Sequence, residues 1–250
     1  MIKVLKIGGS ILTDKTQTAC ARTNEIERVA AEIAQSPKDL IFIHGAGSFG
    51  HSPAKRYGLP EEFDPEGLRI THSCVAKLNS LMVDALSNAG TDPMPVHPFS
   101  SLILQNGRIK NFFVEPIAEM VKIGLLPVLH GDVAIDDSNG AGIVSGDQIV
   151  SYLAKALKAE VIAVGTDRDG VIFEGSVLKE ITRERMPELG SALGGSSAVD
   201  VTGGMKGKLL ELLDLADTGS DSVIFNASKE GLITRALRGE PVGTTVRRSA

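Results

Sequence analysis

Residues 2–7 are apolar except for Lys3 and Lys6, and the run stops at Gly8-Gly9-Ser10, the pattern of a strand feeding a glycine turn. Residues 24–35 place apolar side chains at helical spacing behind an Asn cap, and the short run "LIFI" at 40–43 then reads as a buried strand. The same alternation continues. Strands are expected at 94–97, 125–130, 161–165, 223–226 and 244–247, and helices at 73–88, 115–123, 147–158, 205–218 and 229–238. Strands alternating with helices predict an α/β fold, a three-layer αβα sandwich around a mostly parallel open sheet. Ligands are then expected beyond the carboxyl ends of the strands. No repeat or flexible linker interrupts the pattern. A boundary near residues 156–159 separates an expected N-terminal lobe, 1–156, from a C-terminal lobe, 157–250, of one continuous unit.

Composition narrows the function. A chain of 250 residues with 42% hydrophobic content can bury a sizeable core. A formal net charge of −5 argues against general nucleic-acid or membrane-surface binding, which needs an excess of Lys and Arg. Cys20 and Cys74 are far apart and lack metal-ligand spacing, which fits a reducing cytoplasm and offers no metal site. The start "MIKVLKIGGS" has no cleavage-site pattern and no run of about 18 apolar residues occurs, so neither targeting nor anchoring is expected.

Chemistry concentrates in glycine-rich loops. "HGAGSFGH" (residues 44–51) follows a strand, and Gly45, Gly47 and Gly50 match the G-x-G-x-x-G spacing of dinucleotide sites. The prolines and glycines of the next stretch, "HSPAKRYGLPEEFDPEG", exclude the long helix, strand and acidic residue that such a site requires. What remains is a turn whose free backbone N–H groups form an anion cradle, or a tight turn needing positive φ. Gly8-Gly9-Ser10 and "TGGMKGK" (202–208) repeat the theme, and several cradles suggest several phosphates. The latter is not a Walker motif, because Thr202 and Leu209 stand where Gly and Ser or Thr would be needed.

Taken together, "KIGGS", "HGAGSFGH", Gly131-Asp132, "SGDQ" (145–148), "TDRDGV" (166–171) and "DVTGGMKGK" (200–208) resemble the amino-acid kinase superfamily over essentially the whole chain. Within it, "GSFGH" together with "GGSILTDK" is similar to the isopentenyl phosphate kinases. The resemblance implies ATP-dependent phosphorylation of isopentenyl phosphate with Mg²⁺, in a homodimer. It places Lys6 and Lys208 on the transferring phosphoryl group, with Asp147 orienting them. It places Gly8, Gly9, Ser10 and Lys15 on the nucleotide phosphates, and Thr166, Asp167, Asp169 and Gly204 around the rest of the nucleotide. Gly45, Ala46, Gly47 and Gly146 would cradle the acceptor phosphate, which His51 would hold.

Phosphoryl transfer between two anions needs cations and oriented dipoles, and a phosphate acceptor needs no general base at pH 7. A histidine can donate to a non-reacting acceptor oxygen. Alternatives keep the fold but take a phosphonate or a carboxylate, or keep nucleotide binding without catalysis. A carboxylate is better held by Arg than by His51, and a sensor has no need of Lys6, Lys208 and Asp147 together. Of the other histidines, His44 and His130 read as packed strand-end residues, while His72 and His97 carry no motif. Asp147 also suits a helix N-cap, and Asp167 and Asp169 suit a turn. Leu81, Met82, Leu86 and Ile149 are candidates for the acceptor's hydrocarbon tail or for ordinary core.

Overall fold

A computed structural model describes residues 1–189 and 204–249. In chain order, β1 (Lys3–Ile7), α1 (Gly9–Leu12), α2 (Thr23–Ala34), β2 (Leu40–His44), α3 (Gly47–Arg56), α4 (Pro65–Asn88), β3 (Pro93–Pro95) and α5 (Pro98–Ser101) come first. Next are β4 (Leu102–Gln105), β5 (Arg108–Phe112), α6 (Glu115–Lys122), β6 (Leu126–His130), β7 (Asp132–Asp136), β8 (Gly140–Val144) and α7 (Gly146–Leu157). The chain continues through β9 (Val161–Thr166), β10 (Ile172–Phe173), β11 (Ser176–Val177), β12 (Glu180–Ile181) and α8 (Met186–Leu189). It closes with α9 (Gly204–Ala216), β13 (Ser222–Asn226), α10 (Leu232–Leu237) and β14 (Thr244–Val246).

The main sheet is eight-stranded, in the order β12-β14-β13-β9-β1-β2-β6-β3, and only the β13–β14 pair is antiparallel. Its central strands are buried on both faces, which is why they read as continuous apolar runs. One face packs Val4, Ile41, Ile43 and Val164 against α7 and α9 through Val150, Leu153, Leu209 and Leu212. The other packs Leu5, Ile7, Phe42 and Phe225 against α2, α4 and α10 through Val29, Ile33, Leu78 and Ile233. These are the two helical layers of the expected sandwich. β9 pairs with β1 from Lys3↔Val161 to Ile7↔Gly165, so the sheet runs unbroken across the 156/157 boundary.

Several elements differ from expectation. A second, four-stranded sheet, β5-β4-β7-β8, rises over the end of the first. Its β4–β5 hairpin turns at Asn106-Gly107, both at positive φ, a strong two-residue hairpin signal. The stretch after Gly47 forms α3, which continues through Pro53. Helix α4 starts at Pro65 and not at residue 73, because Asp64 caps it by accepting from the Gly67 N–H (3.0 Å) and Pro65 suits the first helical position. Asn24 does not cap α2, which already begins at Thr23. Met82, Leu86 and Ile149 are fully buried core, while Leu81 points outward, so none of the four marks a separate tail pocket.

At the carboxyl edge of the sheet the glycine loops touch backbone to backbone. A Cβ on Gly9 would lie 2.5 Å from Gly47 Cα, and one on Gly45 would lie 2.5 Å from the Gly9 nitrogen. Gly47 itself has φ +53. The glycines are therefore needed for close approach as well as for turning. We expect Gly9→Ala to cost about 1–3 kcal/mol by overpacking, lowering Tm by roughly 2–4 °C per kcal/mol. Gly8→Ala, whose Cβ would meet the Gly165 carbonyl at 3.3 Å, should cost less. Equal melting temperatures in calorimetry would contradict the contact.

Candidate active site

Lys6 lies between Leu5 and Ile7 on β1, so its side chain leaves the sheet on the α7 face. Ser145 caps α7, its Oγ accepting from the Gln148 N–H at 3.1 Å, and Asp147 projects from the first turn. Asp147 is therefore not the cap. Its carboxylate takes a hydrogen bond from Lys6 Nζ (3.0 Å, to Oδ1) and two from Lys208 Nζ on α9 (2.9 Å to Oδ1, 2.8 Å to Oδ2). All three are buried, at 7%, 9% and 8% exposure for Lys6, Asp147 and Lys208. Burial pushes the Asp147 carboxyl up, but the Lys208 and Lys6 ammonium groups outweigh this and hold it below the usual carboxylate range. Burial pulls Lys6 down to about 8, with Asp147 opposing the shift and Lys208 adding to it. Two cations share one anion, leaving one positive charge to be met by an anionic ligand.

The glycine loops continue the sheet's hydrogen bonding beyond the strands. Gly8 N–H donates to Gly165 O, Gly45 N–H to Ile7 O and Gly131 N–H to His44 O, each at 2.9 Å. Thr13 Oγ1 donates to Gly9 O (2.8 Å) and accepts from Ser48 N–H (3.0 Å), tying α1 to α3. Ser10 sits half-buried in the first turn of α1. A methyl on Gly131 would lie 3.2 Å from the Gly146 nitrogen and 3.7 Å from the Ala46 nitrogen, and one on Gly146 would lie 3.3 Å from Lys6 Cε. The Gly146 backbone thus adjoins Lys6, and the Ala46 amide lies beside Gly131. His51, one turn after Gly47 on α3, is half-buried.

Lys15 reaches across the cleft to Asp167, 3.6 Å away, with both groups well exposed. Thr166 is buried and its hydroxyl closes a local turn, donating to Arg168 O and accepting from Arg168 N–H, both at 3.1 Å. Asp169 pairs with Lys229 (2.6 Å) and accepts from Asn226 Nδ2 (2.9 Å). Gly204 opens α9 at φ +56, while Thr202 and Gly203 of the same motif lie outside the described residues.

Two features escaped the sequence reading. A cleft of about 640 Å³ borders Asp147 and Gly207, with Arg108 at the β5 end bonded bidentately to Glu211 on α9, one bond measuring 3.0 Å. Four of the five histidines, His44, His72, His97 and His130, gather with Asp132 below the Gly45–Gly47 loop. The hairpin glycine could have located the first. No spacing rule links the histidines.

The model of the amino acid kinase family matches residues 1–226. The isopentenyl phosphate kinase of Methanocaldococcus jannaschii is 35% identical, aligned over 98% of both chains, and that of Methanothermobacter thermautotrophicus is 37% identical over 97% of both. A crystal structure of isopentenyl phosphate kinase, 33% identical, superposes with a TM-score of 0.85 over 98% of this chain and 100% of its own.

The Lys6–Asp147–Lys208 cluster makes opposite demands on one titration. Removing the carboxylate charge in Asp147→Asn takes away a support of the charged ammonium, so the Lys6 pKa should fall further below about 8. Lys208→Met removes a like charge and should raise it. Following the Lys6 ¹³Cε shift against pH by NMR decides; shifts in the same direction would exclude this electrostatic coupling.

Proposed function

This chain belongs to the amino acid kinase family and, within it, groups with the isopentenyl phosphate kinases; from that we infer that it transfers the γ-phosphoryl group of ATP to isopentenyl phosphate, giving isopentenyl diphosphate and ADP. The buried Lys6–Asp147–Lys208 cluster at the sheet's carboxyl edge carries the reading. It presents two oriented ammonium groups and excess positive charge where a phosphoryl group would pass between anions. Lys6 and Lys208 would neutralise charge on its equatorial oxygens, and Asp147 would hold both in place against their mutual repulsion.

The remaining assignments are also our reading. Residues 157–250 would carry most of the nucleotide, whose phosphates would meet the Gly8, Gly9 and Ser10 amides and Lys15. Residues 1–156 would bind the acceptor, with its phosphate against the Gly45–Gly47 loop and Gly146 and its oxygen accepting from His51. The acceptor attacks as a deprotonated phosphate, so no base is needed. Asp167 would serve through Lys15. Thr166 and Asp169, tied to Arg168 and Lys229, would shape the nucleotide loop. Among the described residues no group of three His, Cys, Asp or Glu side chains is placed to hold a metal. Mg²⁺ would therefore arrive on the nucleotide's phosphates and water, which suits its preference for oxygen ligands. The free thiols of Cys20 and Cys74 fit a reducing cytoplasm. Leu81 on α4 and Met94 on the edge strand β3 are exposed and support a homodimer, which a monomer mass in sedimentation equilibrium would refute.

Lys208→Ala should lower kcat at least about 100-fold while ATP affinity changes much less, since the charge matters most in the transition state. His51→Ala should lose about 10- to 200-fold in kcat/KM for isopentenyl phosphate, the loss of a charge-assisted hydrogen bond, with the KM for ATP preserved. His51→Gln should recover part of it. Steady-state kinetics with both substrates varied measures all three. Wild-type kcat/KM for isopentenyl phosphate in His51→Ala would remove the histidine from the acceptor site.

A further inference from the structure

His44 and His130 are the last residues of β2 and β6 and stand directly opposite each other in the parallel ladder. Both side chains leave the sheet on the α4 face, opposite to Lys6. Their rings stack with centroids 5.6 Å apart, and both are completely buried. Each ring turns its Nδ1 onto the carbonyl of the following glycine, His44 onto Gly45 O at 3.1 Å and His130 onto Gly131 O at 3.2 Å. A carbonyl only accepts, so both Nδ1 atoms carry the proton. Burial keeps both imidazoles neutral, their pKa values lying below the usual histidine range.

A neutral ring protonated at Nδ1 must accept at Nε2. For His130 the donor is His97 Nδ1, 2.9 Å away. For His44 the partner is the side-chain amide of Asn79 on α4, placed with its Oδ1 3.0 Å from Nε2. An Nε2 that accepts requires this amide to be turned end for end, an interchange of oxygen and nitrogen that the hydrogen-bond network decides; the NH₂ then faces the ring and Nδ2 gains the acceptor it otherwise lacks among the described residues. Every proton in the chain has one consistent place.

The consequence lies in the next peptide plane. The Gly45–Ala46 bond is trans, so fixing the Gly45 carbonyl toward the histidine layer turns the Ala46 N–H to the opposite side. There the Ala46 nitrogen lies 3.7 Å from where a Gly131 Cβ would stand, a position that is itself 3.2 Å from the Gly146 nitrogen. We propose that His44, anchored by Asn79 and by its stack on His130, is a positioning residue that holds the Ala46 amide toward the acceptor's phosphate. This rests on the acceptor location inferred above. A neutral donor suits the task, since a buried imidazolium would need a counter-charge under the loop.

Three variants of the full chain test it, with dissociation constants for isopentenyl phosphate and for ATP measured by calorimetry. His44→Phe keeps a ring but no donor, and it should weaken isopentenyl phosphate by about 10-fold while ATP stays within about twofold. His44→Asn returns an N–H near the Nδ1 position and should restore most of the affinity. Equal weakening of both ligands, no weakening, or no recovery in Asn would overturn the role. His51→Ala separates the two levels. If it leaves isopentenyl phosphate binding untouched, the acceptor location itself is wrong; if it weakens binding while His44→Phe does not, the location stands and the positioning role falls. Should His44→Phe not fold, the wild-type Ala46 amide proton, followed by NMR, must move downfield on adding isopentenyl phosphate and not on adding ATP. A stationary Ala46 resonance would refute the proposal.

Discussion

One carboxylate holds two ammonium groups that would otherwise repel each other. Asp147 stands 141 residues from Lys6 and 61 from Lys208 in sequence, and their three side chains meet only when α7 and α9 dock on the face of the sheet to which β1 turns Lys6. Desolvating three charges is costly, and one anion cannot fully compensate two cations. Burial pulls Lys6 toward neutrality in the free protein, against the charge of Asp147 and with that of Lys208, and in the proposed arrangement an arriving phosphoryl group would supply the negative charge that the cluster lacks. The apolar packing of Val150, Leu153 and Leu209 around the cluster supplies the stability that the charges do not.

Much of this was legible in the residues. The doubly buried strands β1, β2, β6 and β9 announced themselves as unbroken apolar runs, and their alternation with helices implied the sandwich. The glycine loops were readable because few other residues reach such turns or allow such contact. The second sheet was not foreseen, although Asn106-Gly107 between alternating stretches marks its hairpin; its short strands carry polar residues on an exposed face and so lack a strong apolar signal. The resemblance set Asp147 beside Lys6 and Lys208, and the structure shows it hydrogen-bonded to both, while Ser145, one residue before the helix, is the cap that Asp147 also suited in sequence.

The histidine layer shows why some of the site lay beyond the sequence. His44, His72, His97 and His130 come from two strand ends, one helix and one loop, and no periodicity connects positions that only the sheet order brings together. Each residue in isolation looks like a packed histidine. Only the joint hydrogen-bond directions, His97 to His130 and both strand-end rings to glycine carbonyls, make the layer a device for aiming backbone groups. His72 closes the layer from α4 by donating to Asp132, and this partner raises its pKa while the more deeply buried rings stay low.

The contact of Gly9 with Gly45 and Gly47 puts the two glycine loops on a shared main-chain wall. In the proposed arrangement, the distance between donor and acceptor is then a property of covalent backbone geometry, insensitive to the identity of the side chains around it. Such a wall acts as a fixed gauge. The residues that define the acceptor's outer parts are free to vary while the reacting atoms keep the same separation, so a change of acceptor requires new side chains on the rim and no rebuilding of the track along which the phosphoryl group moves.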